Sequence, residues 1–239
     1  MQHGKFYGIG VGPGDPELMT IKAARIIERV DVVFAAQSTK NDYSQALANA
    51  RPYLKEQARI VTLGFPMSRD ERELAAAWNE NAALVVRELK AGFASAFLTL
   101  GDPLLYSTFT YLYRAVRAIF PEVDCEIVPG VTSFQAAAAL TGSVLAEQSE
   151  NLFIASGVGC DDRLEKTLAA ADNAVILKTY RQFDHICDVL DERGLKENSI
   201  LVSCCGLENQ RVERNLDALR GEKIPYLSLL LVKKNKSWT

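Results

Sequence analysis

One stretch decides how this sequence folds: Ala96-Phe97-Leu98-Thr99-Leu100-Gly101-Asp102-Pro103-Leu104-Leu105-Tyr106-Ser107-Thr108. It starts as a short apolar run, too brief for a helix, and is closed by Gly101-Asp102-Pro103. This pattern predicts a buried strand that ends abruptly at the carboxyl edge of a sheet. Gly101 permits close approach of the backbone to a ligand, and the proline keeps Asp102 out of the helical region. Because open α/β sheets bind ligands beyond the carboxyl ends of their strands, we expect a ligand edge here, with a helix from about Ser107.

A second Gly-Asp-Pro follows the first predicted strand, in Gly10-Val11-Gly12-Pro13-Gly14-Asp15-Pro16. The glycines fit no G-x-G-x-x-G register, and Pro13 lacks the N–H that a phosphate cradle uses, which excludes dinucleotide and P-loop sites. For either Gly-Asp-Pro taken alone, the alternative to a ligand site is a solvated turn closed by an Asx hydrogen bond. A helix is expected to begin near Thr20, and three of its residues are predicted to face inward: Ile21, Ala24 and Ile27.

Composition excludes several classes of protein. The chain has 239 residues, 48% of them hydrophobic and 24% charged, which is typical of an ordinary globular protein with one large or two modest domains. No apolar run approaches the roughly 20 residues of a membrane helix, and the amino terminus lacks a secretory signal, so we expect a cytoplasmic protein without a membrane partner. The net charge of -3 gives no basic footprint for nucleic acid. Five cysteines without C-x-x-C spacing argue against a disulfide framework and a metal site.

Strands and helices alternate along the whole chain. Strands are predicted over residues 5–10, 32–35, 59–63, 96–100, 125–128, 152–156, 174–178, 199–204 and 226–232. Ser68 with Glu71 forms a capping box that predicts the start of a helix ending at Gly92, with Trp78 and Leu89 in the core. The alternation predicts an α/β fold of two α/β domains with mostly parallel sheets and the active-site cleft between them. The domains are expected over residues 1–142 and 150–239, joined by a linker over 143–149.

The broken strand ends, taken together, resemble the motifs of a known family. In order and spacing, residues 10–16, 101–103 and 129–133 are similar to the tetrapyrrole methylases, the class III S-adenosylmethionine methyltransferases. The resemblance covers essentially the whole chain, since the family's later landmarks match residues 175–180, 204–206 and 226–229. It implies S-adenosyl-L-methionine as the cofactor, a tetrapyrrole as the substrate and a homodimer. Four segments most resemble the branch that methylates C20 of precorrin-2 or cobalt-factor II in cobalamin biosynthesis: residues 65–70, 77–78, 99–108 and 129–134.

The resemblance also assigns residues to the site. Carried over position by position, the family's cofactor contacts fall on Pro13, Leu100, Gly101, Asp102, Leu105, Tyr106, Thr132, Ser133, Lys178, Thr179 and Cys205. The alternatives for these residues are turn geometry for glycine, helix capping for Thr132 and core packing for Leu105. Uroporphyrinogen-III methylases carry an aspartate after the second strand, where this chain has Ala36. The catalytic residues therefore stay unknown.

The reaction implied by the resemblance is in-line transfer of a sulfonium methyl group to a reduced tetrapyrrole. Because the substrate ring supplies the nucleophile, the protein's main work is orientation and exclusion of water. Arginines are expected to bind the substrate carboxylates, and the candidates are Arg51, Arg181 and Arg211, although each alone is also typical of a solvated surface. His3 and His185 lie in no suggestive context. The alternatives are another family member, acting on another precorrin, uroporphyrinogen-III, rRNA or a translation factor, and a non-catalytic sensor of an adenosine ligand.

Overall fold

Two sheets organise the chain in the computed structural model, which describes residues 3–38, 44–66, 70–157 and 162–234. Contacts divide the chain into two units, Met1–Thr132 and Ser133–Thr239. None of the helices in the described ranges has the length and apolar character needed to cross a membrane. Each unit is an α/β structure with its own sheet, as the sequence predicted.

The sheet of the first unit is parallel throughout its described pairings. Its strands are β1 (Phe6–Gly10), β2 (Val32–Ser38), β3 (Arg59–Phe65), β4 (Ser95–Thr99) and β5 (Cys125–Val128). Their order across the sheet is β3-β2-β4-β1-β5, so β4 and β1 are central and adjacent. Every residue of β4 is buried, which confirms the buried strand predicted from the short apolar run.

Helices cover both faces of this sheet: α1 (Ile21–Ile27), α2 (Gln45–Ala50), α3 (Glu71–Lys90) and α4 (Phe109–Ile119). The first two pack on one face against residues such as Ile9 and Leu98. The last two pack on the opposite face against residues such as Phe6 and Phe97. The chain therefore leaves β1 toward one face and leaves the neighbouring β4 toward the other. Adjacent strands with such opposed connections form the crevice in which α/β sheets bind ligands.

Two helix starts differ from the sequence predictions. In α1 the prediction that Ile21 faces inward is wrong, because its side chain is 71% exposed while Ala23 and Ile27 are buried. The buried stripe thus begins two residues later, and a helix turns by more than half a revolution over two residues. Asp70 caps α3, its Oδ1 accepting from the Arg72 N–H at 2.8 Å. The predicted cap, Ser68, lies outside the described residues.

The second unit contains a mixed sheet. Its strands are β6 (Leu152–Ser156), β7 (Asn173–Leu177), β8 (Ser199–Ser203), β9 (Arg211–Glu213) and β10 (Ser228–Lys233), in the order β6-β7-β10-β8-β9. Only the β6–β7 pairing among these described strands is parallel, and the other three are antiparallel. The prediction of mostly parallel sheets is therefore wrong for this unit. The reason is that β10 returns from the end of the chain and inserts between β7 and β8.

The described part of the second unit contains three α-helices: α5 (Ser133–Thr141), α6 (Asp162–Ala170) and α7 (Phe183–Glu192). The division between Thr132 and Ser133 places α5 in this unit, whereas the sequence analysis placed it in the first domain. Residues 143–149 form neither helix nor strand. The domain limits at residues 142 and 150 stay a prediction.

Candidate functional site

Three loops meet at the carboxyl edge of the first sheet: residues 11–15 after β1, 100–107 after β4 and 129–131 after β5. We call them the first edge. Because β1 lies between β4 and β5, the loops are neighbours. The Val11 N–H donates to the Thr99 carbonyl at 2.9 Å, and the Gly101 N–H donates to the Gly12 carbonyl at 2.8 Å. These two bonds extend the pairing beyond the strands and bring the two Gly-Asp-Pro segments together.

Glycine is required at the first edge for two separate reasons. A Cβ on Gly130 would lie 2.1 Å from the Gly101 carbonyl oxygen, and a Cβ on Gly10 would lie 2.5 Å from the same atom, so neither position has room for a side chain. Gly101 itself has a φ of +73°, a conformation that glycine adopts without strain. Yet a Cβ on Gly101 would come no nearer than 4.0 Å to the described atoms. The direction of its missing Cβ is therefore free of packed atoms, although Gly101 as a residue is buried.

The Asp102 carboxylate holds the first edge together. Its Oδ1 accepts from the Leu104 N–H at 2.8 Å, which is the Asx hydrogen bond considered as an alternative for this motif. Its Oδ2 accepts from the Gly130 N–H at 3.1 Å, across to the loop that follows β5. Both oxygens thus accept backbone donors. The side chain therefore ties the loop after β4 to the loop after β5.

Two polar residues that the sequence analysis missed support the first edge. Asn49 on α2 is 1% exposed, and its amide, in the orientation that satisfies both ends, bonds the Gly14 carbonyl at 2.9 Å and the Gly14 N–H at 3.2 Å. Ser107 Oγ lies 3.2 Å from Thr99 Oγ1 and accepts from the Phe109 N–H at 3.0 Å, at the start of α4. The sequence feature that could have identified Asn49 is its position: an amide side chain among the buried, apolar positions of a short helix.

Three further segments share one edge of the second sheet: residues 178–181 after β7, 204–206 after β8 and 225–227 before β10. We call them the second edge. They meet because β10 runs antiparallel between β7 and β8, so its start lies beside their ends. The Cys204 N–H donates to the Leu227 carbonyl at 2.7 Å, and the hydroxyls of Ser203 and Ser228 are 2.7 Å apart.

The second edge contains residues in unusual environments. Lys178 and Cys204 have φ angles of 59° and 51°, which are left-handed conformations at positions other than glycine. Thr179 is fully buried, and its hydroxyl has no hydrogen-bond partner among the described residues. Cys205 is half-buried, and burial raises the pKa of its thiol, so it is mainly protonated at neutral pH.

The three arginines proposed for substrate carboxylates have different surroundings. Arg181 lies over the ring of Tyr180, with its guanidinium carbon 5.5 Å from the ring centroid, and the Tyr180 ring is 4.9 Å from that of Tyr226. Arg211 is ion-paired with Glu222 at 3.1 Å. Arg51 is exposed, in the short turn Arg51–Tyr53 after α2. Arg181 thus lies within the second edge, and Arg211 begins β9 beside it, opposite Ser203.

The predicted cofactor residues fall into groups along the chain. Six lie at the first edge: Pro13, Leu100, Gly101, Asp102, Leu105 and Tyr106. Thr132 is the last residue of the first unit and Ser133 the first of α5. The remaining three, Lys178, Thr179 and Cys205, lie at the second edge. Ala36 lies within β2 against the core, so no carboxylate occupies that place. In the described ranges no cluster of three acidic, histidine or cysteine side chains could hold a metal ion.

Comparison with known proteins gives consistent matches. Residues 5–219 match the model of the family Tetrapyrrole (Corrin/Porphyrin) Methylases. The chain is 38% identical to the cobalt-precorrin-2 C(20)-methyltransferase of Salmonella typhimurium, over 99% of this chain and 98% of the relative. It is 35% identical to the probable cobalt-precorrin-2 C(20)-methyltransferase of Methanocaldococcus jannaschii, over 97% of both.

Solved structures with the same fold include two tetrapyrrole enzymes. A cobalt precorrin-4 methyltransferase superposes with a TM-score of 0.74 at 21% identity, covering 96% of this chain and 94% of the other. The uroporphyrin-III C-methyltransferase of Thermus thermophilus, determined with S-adenosylhomocysteine, gives 0.69 at 22% identity and covers 97% and 98%. These likenesses show the fold, and the sequence matches show the family. The chain belongs to the tetrapyrrole (corrin/porphyrin) methylases.

Proposed function

We propose that this protein transfers a methyl group from S-adenosyl-L-methionine to C20 of precorrin-2 or cobalt-factor II in cobalamin biosynthesis. The observation that carries the proposal is the 38% identity, over nearly the full length of both chains, to an enzyme named for this reaction. Ala36 adds support, because the uroporphyrinogen-III methylases that the sequence resembles less closely carry an aspartate at that place.

The first edge is suited to hold the methyl donor. Gly101 leaves open space beside its backbone, and the loop around it is fixed by the Asp102 carboxylate. A rigid backbone edge can bind and orient a nucleoside without a charged side chain. We propose that Pro13, Leu100, Gly101, Asp102, Leu105, Tyr106, Thr132 and Ser133 contact the donor. The family pattern assigns further donor contacts to Lys178, Thr179 and Cys205, and these assignments are proposals as well.

The departure of the leaving group needs no acid. A carbon–carbon bond forms at the ring carbon as the carbon–sulfur bond of the sulfonium breaks, so the thioether leaves neutral and the positive charge passes to the methylated ring, which then loses one proton to solvent or to a base to which no residue is assigned. This fits the first edge, where the Asp102 carboxylate already accepts two backbone N–H groups. Rate enhancement then comes from holding the methyl and the ring carbon in line, with reacting atoms about 3–3.5 Å apart.

The test is product analysis with both substrates in parallel. The purified protein is incubated with precorrin-2 or cobalt-factor II and with methyl-labelled (carbon-13) S-adenosyl-L-methionine, and the pigment is examined by mass spectrometry and carbon-13 NMR. We expect one added methyl group, with its label at C20. Label on a pyrroline carbon, or on RNA alone, would assign the protein to another activity of the family. Binding of the donor without turnover of any tetrapyrrole would indicate a sensor.

Other properties of the protein follow from the resemblance and stay proposals. We propose a homodimer, which light scattering of the purified protein tests directly. We also propose a cytoplasmic location, without nucleic-acid or membrane partners.

A further inference from the structure

We propose that Arg181 binds a carboxylate of the tetrapyrrole, and that the rings of Tyr180 and Tyr226 form the apolar surface beside it. This inference rests on the proposed function, because it takes the substrate to be a carboxylated macrocycle. It adds the place on the second unit where that substrate is held.

The state of its side chain distinguishes Arg181 from Arg211. Arg181 is exposed and lies over the Tyr180 ring, and no described residue forms an ion pair with it. An arginine stacked on an aromatic ring keeps its donors free for bidentate contact with a carboxylate. Arg211, by contrast, donates to Glu222 at 3.1 Å and lies 3.6 Å from Glu213. A substrate carboxylate would have to displace those partners.

Arg181 also lines a cavity of about 240 Å³ in the second unit. Two acidic residues of the lining are already engaged, since Asp184 accepts from the Gly221 N–H at 3.3 Å and Glu222 accepts from Arg211. Neither of these carboxylates forms an ion pair with Arg181 in the described structure, so its guanidinium stays available to a ligand. Pockets that hold whole small ligands measure roughly 300–1,000 Å³. A cavity of this size takes one acid side chain of the substrate, while the macrocycle lies outside it.

The aromatic pair supplies a surface for the macrocycle. Tyr180 and Tyr226 pack with their centroids 4.9 Å apart, and Tyr226 is 61% exposed although it lies in a tight segment before β10. Tyr180 directly follows Lys178 and Thr179, and the residue after Tyr226 accepts the Cys204 N–H. The surface is thus continuous with the second edge. A macrocycle resting on exposed Tyr226 and on the uncovered part of half-buried Tyr180, with one carboxylate on Arg181, is held against rotation.

The test compares Arg181→Gln and Arg181→Lys with a control in the same unit, Arg193→Gln. Arg193 is a surface arginine whose pairing with Glu165, at 3.4 Å, is weak, so its loss removes the same charge away from the proposed subsite. Three quantities are measured for each protein: KM and kcat with cobalt-factor II, binding of cobalt-factor II by absorbance titration, and binding of S-adenosylhomocysteine by calorimetry.

For Arg181→Gln we expect KM and the dissociation constant of cobalt-factor II to rise at least tenfold, while affinity for S-adenosylhomocysteine stays within twofold. Arg181→Lys should recover part of the loss, because lysine keeps the charge and loses the bidentate contact. Arg193→Gln should match the wild type. An Arg181→Gln variant with unchanged tetrapyrrole affinity overturns the proposal, and so does one that loses both ligands equally, since that pattern indicates altered folding.

The wild-type measurements separate this inference from the proposed function. If the wild type binds cobalt-factor II but methylates a carbon other than C20, the proposed function fails and the titrations still decide the role of Arg181. If the wild type binds no tetrapyrrole at all, both are overturned.

Discussion

The first and second edges place a turn directly after a buried strand, yet they do so with different residues. At the first edge Gly10 and Gly130 leave no room for a Cβ, Gly101 has a positive φ, and Tyr106 is the one side chain held in a left-handed conformation, with a φ of 49°. At the second edge Lys178 and Cys204 take left-handed conformations while keeping their side chains. Each such residue costs about 1–3 kcal/mol, which glycine would avoid.

The difference indicates what each edge contributes. The first edge packs backbone against backbone at Gly10 and Gly130, so neither of these positions tolerates an added carbon. At the second edge Lys178 and Cys204 retain side chains at positions where they cost stability, so those side chains or their exact placement are what that edge contributes. Substitutions at matched positions on the two edges can separate these roles.

The largest effect is expected for Gly130→Ala. The new Cβ would lie 2.1 Å from the Gly101 carbonyl oxygen, and since that neighbour is backbone, the two loops must separate. We expect a loss of about 3 kcal/mol in the free energy of unfolding, measured by urea denaturation, together with loss of S-adenosylhomocysteine binding. Gly64→Ala is the control, because a Cβ there meets no described atom within 4 Å. A Gly130→Ala protein as stable as the control would mean that the loops are not held together.

A smaller but more specific effect is expected for Gly101→Ala. Its Cβ enters open space, so the structural cost is the positive φ alone, about 1–2 kcal/mol. If the donor occupies that space, affinity for S-adenosylhomocysteine should fall at least tenfold, about 1.4 kcal/mol, by calorimetry. Gly142→Ala is the matched control, with a φ of +66° and no described atom within 4 Å of the new Cβ. If Gly101→Ala and Gly142→Ala lose the same stability but only Gly101→Ala loses affinity for S-adenosylhomocysteine, the loss of affinity is due to contact with the ligand. If Gly101→Ala keeps its affinity within twofold of the wild type, Gly101 is not part of the donor site.

At the second edge the accessible test is the reactivity of Cys205. Burial raises the pKa of its thiol, so the reactive thiolate is scarce at neutral pH and its fraction keeps rising as the pH is increased from 7 to 9. Alkylation by iodoacetamide, followed by peptide mass spectrometry, should show this increase without a plateau at pH 9. Bound S-adenosylhomocysteine should slow the reaction several-fold if Cys205 contacts the donor.

Cys125 is the internal reference for that experiment. Burial raises the pKa of its thiol to about 12, so it should react slowly with and without the nucleoside. A Cys205 labelling rate that S-adenosylhomocysteine leaves unchanged would argue that the second edge does not hold the donor.

The smallest effects concern the hydroxyl pairs that close each edge. Ser228 donates to the Pro225 carbonyl at 2.7 Å, so Ser203 is the donor between the two serines, and Ser203→Ala should cost about 1 kcal/mol by urea denaturation. Ser107→Ala removes the contact with Thr99 and also the acceptor of the Phe109 N–H, at a cost of about 1–2 kcal/mol. The reverse ranking would show that the second edge depends more on its hydroxyl pair than the first.

Local signals account for what the sequence could predict. A glycine or proline lies at the end of β1 and within two residues after the ends of β4 and β5, and such breaks indicate a strand end without knowledge of the neighbouring strands. The order and spacing of these breaks were sufficient to identify the family. The predicted burial of Trp78 and Leu89 holds in part, since Leu89 is buried while Trp78 is half-buried against Phe65.

What the sequence could not predict depends on contacts between distant residues. The apolar run of β10 indicates burial on both faces but carries no information on direction, so the antiparallel pairings of the second sheet were missed. Asn49 lies on α2 and bonds the backbone of Gly14, which is in the loop after β1. No sequence pattern near Gly14 indicates that Asn49 is its partner. The left-handed conformation of Lys178 is likewise imposed by its surroundings, because lysine has no preference for it.

The position of β1 in the first sheet has a consequence for how the protein is made. Phe6 lies opposite Ser95 on one side and Cys125 on the other, so both partners of the first strand are synthesised long after it. At about 5–20 residues per second, the nascent chain carries an unpaired apolar strand for several seconds. Such distant pairing slows folding and exposes the chain to aggregation. Fragments that stop before β4 lack any partner for β1, and we expect them to aggregate rather than fold.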